Sequence, residues 1–160
     1  MDLLPRYFFL NEKLYEKIRV VTSENYVVVW AFEDEQRLRF NYSSVRRDYT
    51  KAYDVKEVAQ LIDRPAKEIL SYLKRGLAEY PSARLYSRAT KMPGKWMWSE
   101  RDVLDLRDAI FDLAPKNKYG EPYTNFKLVN KVELQRKMRG DTSYYVKNKD
   151  GDYVKVWRAL

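Results

Sequence analysis

The chain has 160 residues, of which 45% are hydrophobic and 15% aromatic, enough for a packed globular core and too apolar for a disordered tail. It contains no cysteine and no histidine, which excludes disulfides, thiolate metal sites and histidine-based catalysis. Its formal net charge of +8 favours polyanionic partners such as nucleic acid or an acidic membrane surface, although a basic protein without such a partner can carry the same charge.

The N-terminal segment has the features of neither a signal peptide nor a membrane anchor. Its second residue, Asp2, is acidic, and the short apolar patch that follows is broken by Pro5 and Arg6. No apolar run in the chain approaches the roughly 18 residues that a helix needs to span a bilayer. We therefore expect a cytoplasmic protein without a membrane partner.

The first module, residues 1–50, is predicted to contain a small β-meander. β-branched and aromatic side chains cluster in three short segments that polar turns separate, a pattern typical of β-strands. The strands are expected at residues 18–22, 26–32 and 37–42. The central strand is apolar on both faces, so another part of the chain should cover it.

The second module, residues 51–114, begins with a change to helical periodicity. Asp54 and Glu57 have the spacing of a capping pair at the start of a short helix with one apolar face. This helix is expected to end before Pro65, because proline disfavours helical geometry in the residue that precedes it.

A second helix is predicted from Ala66 to Arg75. Its apolar residues recur at the spacing of one helix face, and Gly76 is placed to end the helix in the left-handed conformation. The apolar residues of this face are Ala66, Ile69, Leu70 and Leu73. The opposite face is left for polar contacts.

A β-hairpin and a third helix complete the module. Residues 84–98 are rich in strand-forming side chains, and Pro93 and Gly94 are expected to supply the turn. Ser99 and Asp102 then have the spacing of a second capping pair, which starts the third helix.

The third module, residues 115–160, is predicted to contain a helix and a second hairpin. Asn130 and Glu133 form a capping pair for a helix over residues 130–138. An Asp-Gly pair at residues 150 and 151 is typical of a tight hairpin turn. The strands that it joins are expected at residues 144–148 and 153–157.

The positive charge is concentrated in two parts of the chain. Residues 51–98 contain ten basic and five acidic side chains, and residues 115–160 contain eleven and five. Residues 1–50 are balanced with eight of each sign, whereas residues 99–114 have two basic and five acidic side chains. A polyanion is therefore expected to bind the second or the third module.

The order of elements in the second module is typical of a winged helix-turn-helix: helix, short break, helix, glycine, basic hairpin and capped helix. Its residues also resemble the core of MerR-like regulators and phage excisionase-type proteins over about residues 53–113. The resemblance of the first two helices lies in residues 58–62, Ile69, Tyr72 and residues 74–77. Residues 94–99 with Asp102 and Val103 are similar to the end of the wing and the start of the next helix in the excisionase-like branch.

The sequence departs from the family pattern in the turn and at the C-terminus. Asp63 stands where the family usually has glycine, and Pro65 with Ala66 replaces a serine-proline helix start. The long C-terminal coiled coil by which MerR-like regulators dimerise is absent. The resemblance thus implies a small excisionase-like or phage architectural protein. Its fold would be α+β, with an N-terminal β-meander, a central winged helix-turn-helix and a C-terminal helix plus β-hairpin.

Polar and basic side chains of the second helix and the first hairpin are the candidate DNA-binding residues. In a winged helix-turn-helix the second helix enters the major groove, where lysine and serine reach phosphates or base edges and a carboxylate accepts from cytosine. The candidates on the helix are Lys67, Glu68, Ser71, Lys74 and Arg75. Those on the hairpin are Arg84, Arg88, Lys91 and Lys95, at spacings suited to a phosphate backbone. The alternative is an ordinary solvated surface.

Three functions stay open, and binding of double-stranded DNA is the leading prediction. The resemblance implies an excisionase-like recombination factor, a transcriptional regulator or a phage packaging component. The second is a phage-type protein-interaction or structural module that binds another phage or host protein, because fold does not fix function. The third is a Mg²⁺-dependent nuclease that uses carboxylates of residues 33–35 or of the third helix. No catalytic residue, metal ligand or cofactor is predicted, so we expect no enzyme.

The predicted C-terminal hairpin combines aromatic and basic side chains. Aromatic rings interleaved with cations can stack unpaired bases, but half-buried sheets use the same side chains for ordinary packing. The aromatic residues are Tyr144, Tyr145, Tyr153 and Trp157, and the basic residues beside them are Lys147, Lys149, Lys155 and Arg158. Both interpretations stay open at this point.

Overall fold

The computed structural model describes residues 3–121, 123 and 126–158. These residues form five α-helices and nine β-strands, and all paired strands are antiparallel. The predicted combination of α-helices with antiparallel β-sheets is therefore confirmed. Within the described ranges, no helix is long and apolar enough to cross a membrane.

The N-terminal part is a five-stranded sheet in the order β4-β3-β2-β1-β5, with one helix after β4. The strands are β1 (Tyr7–Leu10), β2 (Lys13–Val21), β3 (Tyr26–Ala31), β4 (Gln36–Asn41) and β5 (Thr50–Lys51), and the helix is α1 (Tyr42–Asp48). The predicted meander corresponds to β2, β3 and β4. Alternate residues of β3 are buried, and Val45 of α1 packs in the same core as Val27 and Val29.

β1, α1, β5 and the first half of β2 were not predicted. The first half of β2, Lys-Leu-Tyr-Glu-Lys, lacks the strict alternation of apolar and polar residues that indicates a strand. One of those charges, Glu16, is buried to 8% exposure and forms an ion pair of 3.0 Å with Arg6. A buried carboxylate needs such a partner, and the partner lies on a segment that local patterns do not connect with it.

The remaining chain forms four helices and two hairpins. The helices are α2 (Val55–Ile62), α3 (Ala66–Lys74), α4 (Glu100–Leu113) and α5 (Lys131–Met138). The first hairpin pairs β6 (Ala83–Tyr86) with β7 (Pro93–Met97), and the second pairs β8 (Thr142–Lys147) with β9 (Tyr153–Arg158). Apart from the strands of the first hairpin, these elements agree with the predicted ones to within one or two residues.

The predicted helix ends are confirmed in their hydrogen bonds. Asp54 caps α2 through a reciprocal pair of bonds with Glu57, and Ser99 caps α4 through the same arrangement with Asp102. Asn130 accepts from the backbone N–H of Glu133 at 2.8 Å at the start of α5. After α3 the backbone of Gly76 has a φ of +71°, as the left-handed helix end requires.

The predicted turn of the first hairpin was wrong. Pro93 and Gly94 lie in β7, and the turn consists of residues 87–92, closed by a 2.9 Å bond from the Ser87 N–H to the Met92 carbonyl. Lys91 takes the left-handed conformation there, with a φ of +62°. Proline has no N–H to donate to the ladder, but it is tolerated as the first residue of a strand.

The first hairpin packs on the N-terminal sheet. Phe9 and Phe32 of the N-terminal part share a buried cluster with Met97, and Tyr86 packs against it. The Tyr86 hydroxyl donates to the Phe32 carbonyl at 2.8 Å and accepts from Trp30 Nε1 at 3.2 Å. A separate core holds the helices together around Trp98 and Ile62, which are 1% and 0% exposed.

These two hydrogen bonds predict that Tyr86→Phe destabilises the protein although it leaves the ring in place. The substitution leaves the Phe32 carbonyl and the indole N–H without that partner, which should cost about 1 to 3 kcal/mol of unfolding free energy. Urea denaturation measures the change. Tyr80→Phe is the matched control, since the Tyr80 hydroxyl bonds to none of the described residues, and an equal loss there would contradict the assignment.

Candidate nucleic-acid interface

The connection between α2 and α3 is a tight turn at Asp63. Asp63 has a φ of +62°, the left-handed conformation that glycine adopts most easily and that aspartate tolerates. Its carboxylate lies 3.5 Å from the Lys137 ammonium of α5. Pro65 then precedes the first turn of α3 in extended conformation. The turn therefore has a glycine-like backbone although residue 63 is an aspartate.

One face of α3 is open to solvent and carries positive charge. Lys67 and Lys74 are exposed and Ser71 is half-buried, while Ile69 and Leu73 point into the helical core. Arg75, the residue that ends the helix, is exposed as well. No carboxylate within the described ranges forms a salt bridge with any of these three cations.

Leu70 belongs to this open face, although the sequence analysis had placed it in the apolar stripe. Its exposure is 39%, against 0% for Ile69 and 2% for Leu73. The stripe of a nine-residue helix spans only about 100° of its circumference, and Leu70 falls at the edge of it. The open face thus carries an apolar side chain at its border, beside the two lysines.

A groove of about 200 Å³ connects α3 with the root of the first hairpin. Leu70 lines it on the α3 side and Trp96 on the β7 side, and Lys56 of α2 and Lys95 of β7 contribute cations. Lys95 lies 3.8 Å from the carboxylate of Asp54, which partly offsets its charge. Lys56 was missed from the sequence because only tertiary packing places it beside the hairpin.

The carboxylate of Glu68 is half-buried and bound by neighbouring side chains rather than free on the open face. Arg64 Nη2 donates to both of its carboxylate oxygens, at 2.6 and 2.5 Å, and the Tyr72 hydroxyl donates to Oε1. Burial pushes the pKa of Glu68 upward, but the hydrogen bonds from Arg64 and Tyr72 outweigh it, so the pKa lies below its ordinary value. This carboxylate has its acceptor positions occupied.

The four hairpin candidates fall into two pairs. Arg84 lies near the root, where it donates to the Gly94 carbonyl at 2.8 Å and stacks 4.8 Å from the Trp96 ring centre; Lys95 lies beside the groove. Arg88 and Lys91 lie in the turn and approach the N-terminal sheet. Arg88 is 3.9 Å from Glu16, and Lys91 is 3.5 Å from Glu35.

The rings of the C-terminal hairpin are largely unpacked. Tyr144, Tyr145 and Tyr153 are 48%, 66% and 71% exposed. Trp157 is half-buried, and the Arg136 guanidinium lies 5.5 Å from the centre of its ring. Ordinary sheet packing, one of the two interpretations left open by the sequence, therefore does not account for the three tyrosines.

Comparison with known proteins assigns the chain to no family. No family model matches it, and no curated protein or solved structure matches it at a significant level. Among the residues that the structure describes, no group of three or more acidic side chains is arranged to hold a metal ion.

The contacts of Glu68 predict that Glu68→Gln reduces the stability of the protein. If Glu68 instead contacted a base, the same substitution would change DNA binding and not stability. At neutral pH the loss should be about 1 to 3 kcal/mol, because the charged hydrogen bonds with Arg64 are lost. Since folding lowers the pKa of Glu68, its contribution is present above the ordinary value of 4.5 and lost as the pH falls below it.

Urea denaturation at several pH values measures this effect. The difference between wild type and Glu68→Gln should close in acid, and Glu79→Gln, on an exposed acid of the same module, should show no such difference. A variant that keeps wild-type stability but changes its DNA preference would contradict the structural assignment of Glu68.

Proposed function

We propose that the chain binds double-stranded DNA, with α3 in the major groove. The observation that carries the proposal is the open face of α3, where Lys67, Lys74 and Arg75 are exposed and form no salt bridge within the described ranges. Unpaired surface cations on one helix face are the usual means of neutralising phosphates, and DNA affinity then depends strongly on salt.

The chemistry along α3 suits both parts of DNA recognition. Lys67 near the start of α3 and Ser71 near its middle can donate to base edges, and Leu70 at the border of the same face is able to contact a thymine methyl group. Lys74 and Arg75, at the C-terminal end, are suited to phosphates. Glu68 is removed from the predicted set because its oxygens are occupied by Arg64 and Tyr72.

The strands of the first hairpin next to the groove extend the proposed DNA surface, whereas the turn of the hairpin contributes less to DNA binding. Arg84, Lys95 and Lys56 lie at or near the groove beside Leu70, so a duplex on α3 would pass close to them. Arg88 and Lys91 approach Glu16 and Glu35, and phosphates would have to compete with those carboxylates.

The cellular role that we propose is based on the resemblance of the second module to excisionase-type proteins. Its order of α2, tight turn, α3, hairpin and capped α4 supports a winged helix-turn-helix, and the excisionase-like branch has no long coiled coil either. We therefore propose a small DNA-binding factor for recombination, transcription control or phage packaging. A protein-interaction module is the second candidate, favoured by the apolar groove between Leu70 and Trp96.

The proposal predicts that Lys67→Ala with Lys74→Ala weakens duplex binding, because two phosphate or base contacts are lost. The slope of log affinity against log salt should become shallower by about two units. Electrophoretic mobility shifts over a salt series measure both quantities. Arg88→Ala with Lys91→Ala removes the same charge from the hairpin turn and should have a smaller effect.

Three outcomes would contradict the proposal. The α3 double variant could bind like wild type, the hairpin-turn variant could lose as much affinity, or wild type could fail to shift duplex DNA at low salt. The last result would favour the protein-interaction module. Cleavage of the duplex on addition of Mg²⁺ would instead favour the nuclease.

A further inference from the structure

The C-terminal hairpin has two chemically different faces. In an antiparallel pair, residues directly opposite each other point to the same side of the sheet. Tyr145 is paired with Lys155, and Lys147 with Tyr153, so these four side chains share one face. Trp157 is two residues beyond Lys155 on the same strand and completes that face. We call these five residues the aromatic-basic face.

The opposite face is mostly apolar between the turn and its far end. Tyr144 is paired with Val156, and Val146 with Val154, and none of these four side chains is charged. Arg158, which is paired with Thr142 at the far end, lies on this face as well. The two faces have the same backbone, the same turn and the same strand partners. They therefore provide an internal comparison between aromatic-basic and largely apolar chemistry.

Rings and cations alternate along the aromatic-basic face. Each cross-strand pair nearest the turn combines one tyrosine with one lysine: Tyr145 lies opposite Lys155, and Tyr153 lies opposite Lys147. The tyrosine is on β8 in the first pair and on β9 in the second. The two pairs are about 7 Å apart along the strands, since a strand rises about 3.4 Å per residue and the pairs are two residues apart. Diagonal neighbours at this distance leave room for a flat ring to stack on each tyrosine.

The inner end of the face is anchored to α5, and the outer end is open. Lys155 is hydrogen-bonded to Glu133 of α5, and Trp157 lies between Lys155 and Arg136. Toward the turn, Tyr145 and Tyr153 are 66% and 71% exposed, and Lys147 is exposed as well. The platform is thus held at its base while its outer rings remain accessible.

The charge of the hairpin is suited to a phosphate backbone. Lys147, Lys149 and Lys155 outnumber the two acids of the turn, Asp150 and Asp152, although Lys155 is paired with Glu133 of α5. The acids lie at the tip, where the N–H groups of both residues donate to the Asn148 side chain. Tyr153 lies opposite Lys147 near the tip, and Tyr145 lies opposite Lys155.

From this arrangement we infer that the aromatic-basic face binds an unpaired nucleic-acid strand, with bases stacked on Tyr145 and Tyr153 and phosphates near Lys147, whereas Lys155 is held in an ion pair with Glu133. Aromatic stacking accepts any base, because every base has a π-face, and lysines beside the rings neutralise the backbone. A paired duplex hides its base faces and cannot use the two tyrosines. This site is separate from α3 and does not depend on the proposed duplex binding.

The test is fluorescence anisotropy with two labelled, unstructured probes, an oligothymidine DNA and an oligouridine RNA. Wild type should bind at least one of them at low salt, and the comparison shows whether the sugar matters. Tyr145→Ser with Tyr153→Ser should weaken binding by roughly tenfold or more, since each stacked base contributes substantially. Circular dichroism and thermal melting check that the fold is unchanged.

Two controls make the result specific. Tyr144→Ser with Val146→Thr makes comparable changes on the opposite face of the same hairpin and should leave strand affinity near wild type. Lys67→Ala with Lys74→Ala should also leave it near wild type, so failure of the duplex proposal would not affect this test.

Three results would overturn the inference. Wild type could bind neither probe, which would leave the exposed rings to a protein contact. The opposite-face variant could lose as much affinity as the aromatic-basic one. Finally, the α3 variant could abolish strand binding, which would place the strand on α3 instead.

Discussion

The pairing of Tyr53 with Trp98 is the interaction on which the rest of the structure depends. Their backbones exchange two hydrogen bonds, 2.9 Å from the Tyr53 N–H and 2.8 Å from the Trp98 N–H. The next residue in each segment, Asp54 or Ser99, is the N-cap of a helix, so the pairing starts α2 and α4 side by side. Both side chains enter the helical core. Their predecessors Ala52 and Met97 enter the cluster under the N-terminal sheet, so one short pairing joins two cores.

This connection determines which charges remain available. It fixes the first hairpin against the N-terminal sheet, where the carboxylates of Glu16 and Glu35 approach the cations of the hairpin turn. The groove where α3 meets β7 beside Leu70 is lined by neither Glu16 nor Glu35. Carboxylates of the N-terminal sheet thus partly neutralise the cations of the hairpin turn, whereas the cations of α3 stay unpaired within the described ranges. For this reason α3 is the proposed DNA surface.

Local signals explain what could be predicted from the sequence. The capping residues, the apolar periodicities and the glycine after α3 act within one turn of chain, and the structure contains them as expected. Pairings between distant segments could not be predicted in this way. The sequence around Glu16 gives no sign that this residue is buried, because its partners Arg6 and Arg88 approach it only in the folded protein. The ion pair of Glu68 could have been predicted from the sequence, because Arg64 lies four residues before it, at the spacing of a helical ion pair. The exposure of Leu70 and the position of Lys56 depend on how the hairpin packs.

The most direct test of this account is an amide NMR titration of the labelled protein with a short duplex. The account predicts that the largest shift changes fall on residues 66–75 and around Lys95, with smaller changes at residues 87–91 in the hairpin turn. Increasing salt should reverse them together, since counterion release drives the association. Changes confined to residues 87–91 and the neighbouring part of the N-terminal sheet, with none on α3, would contradict the central claim that α3 is the DNA-binding element.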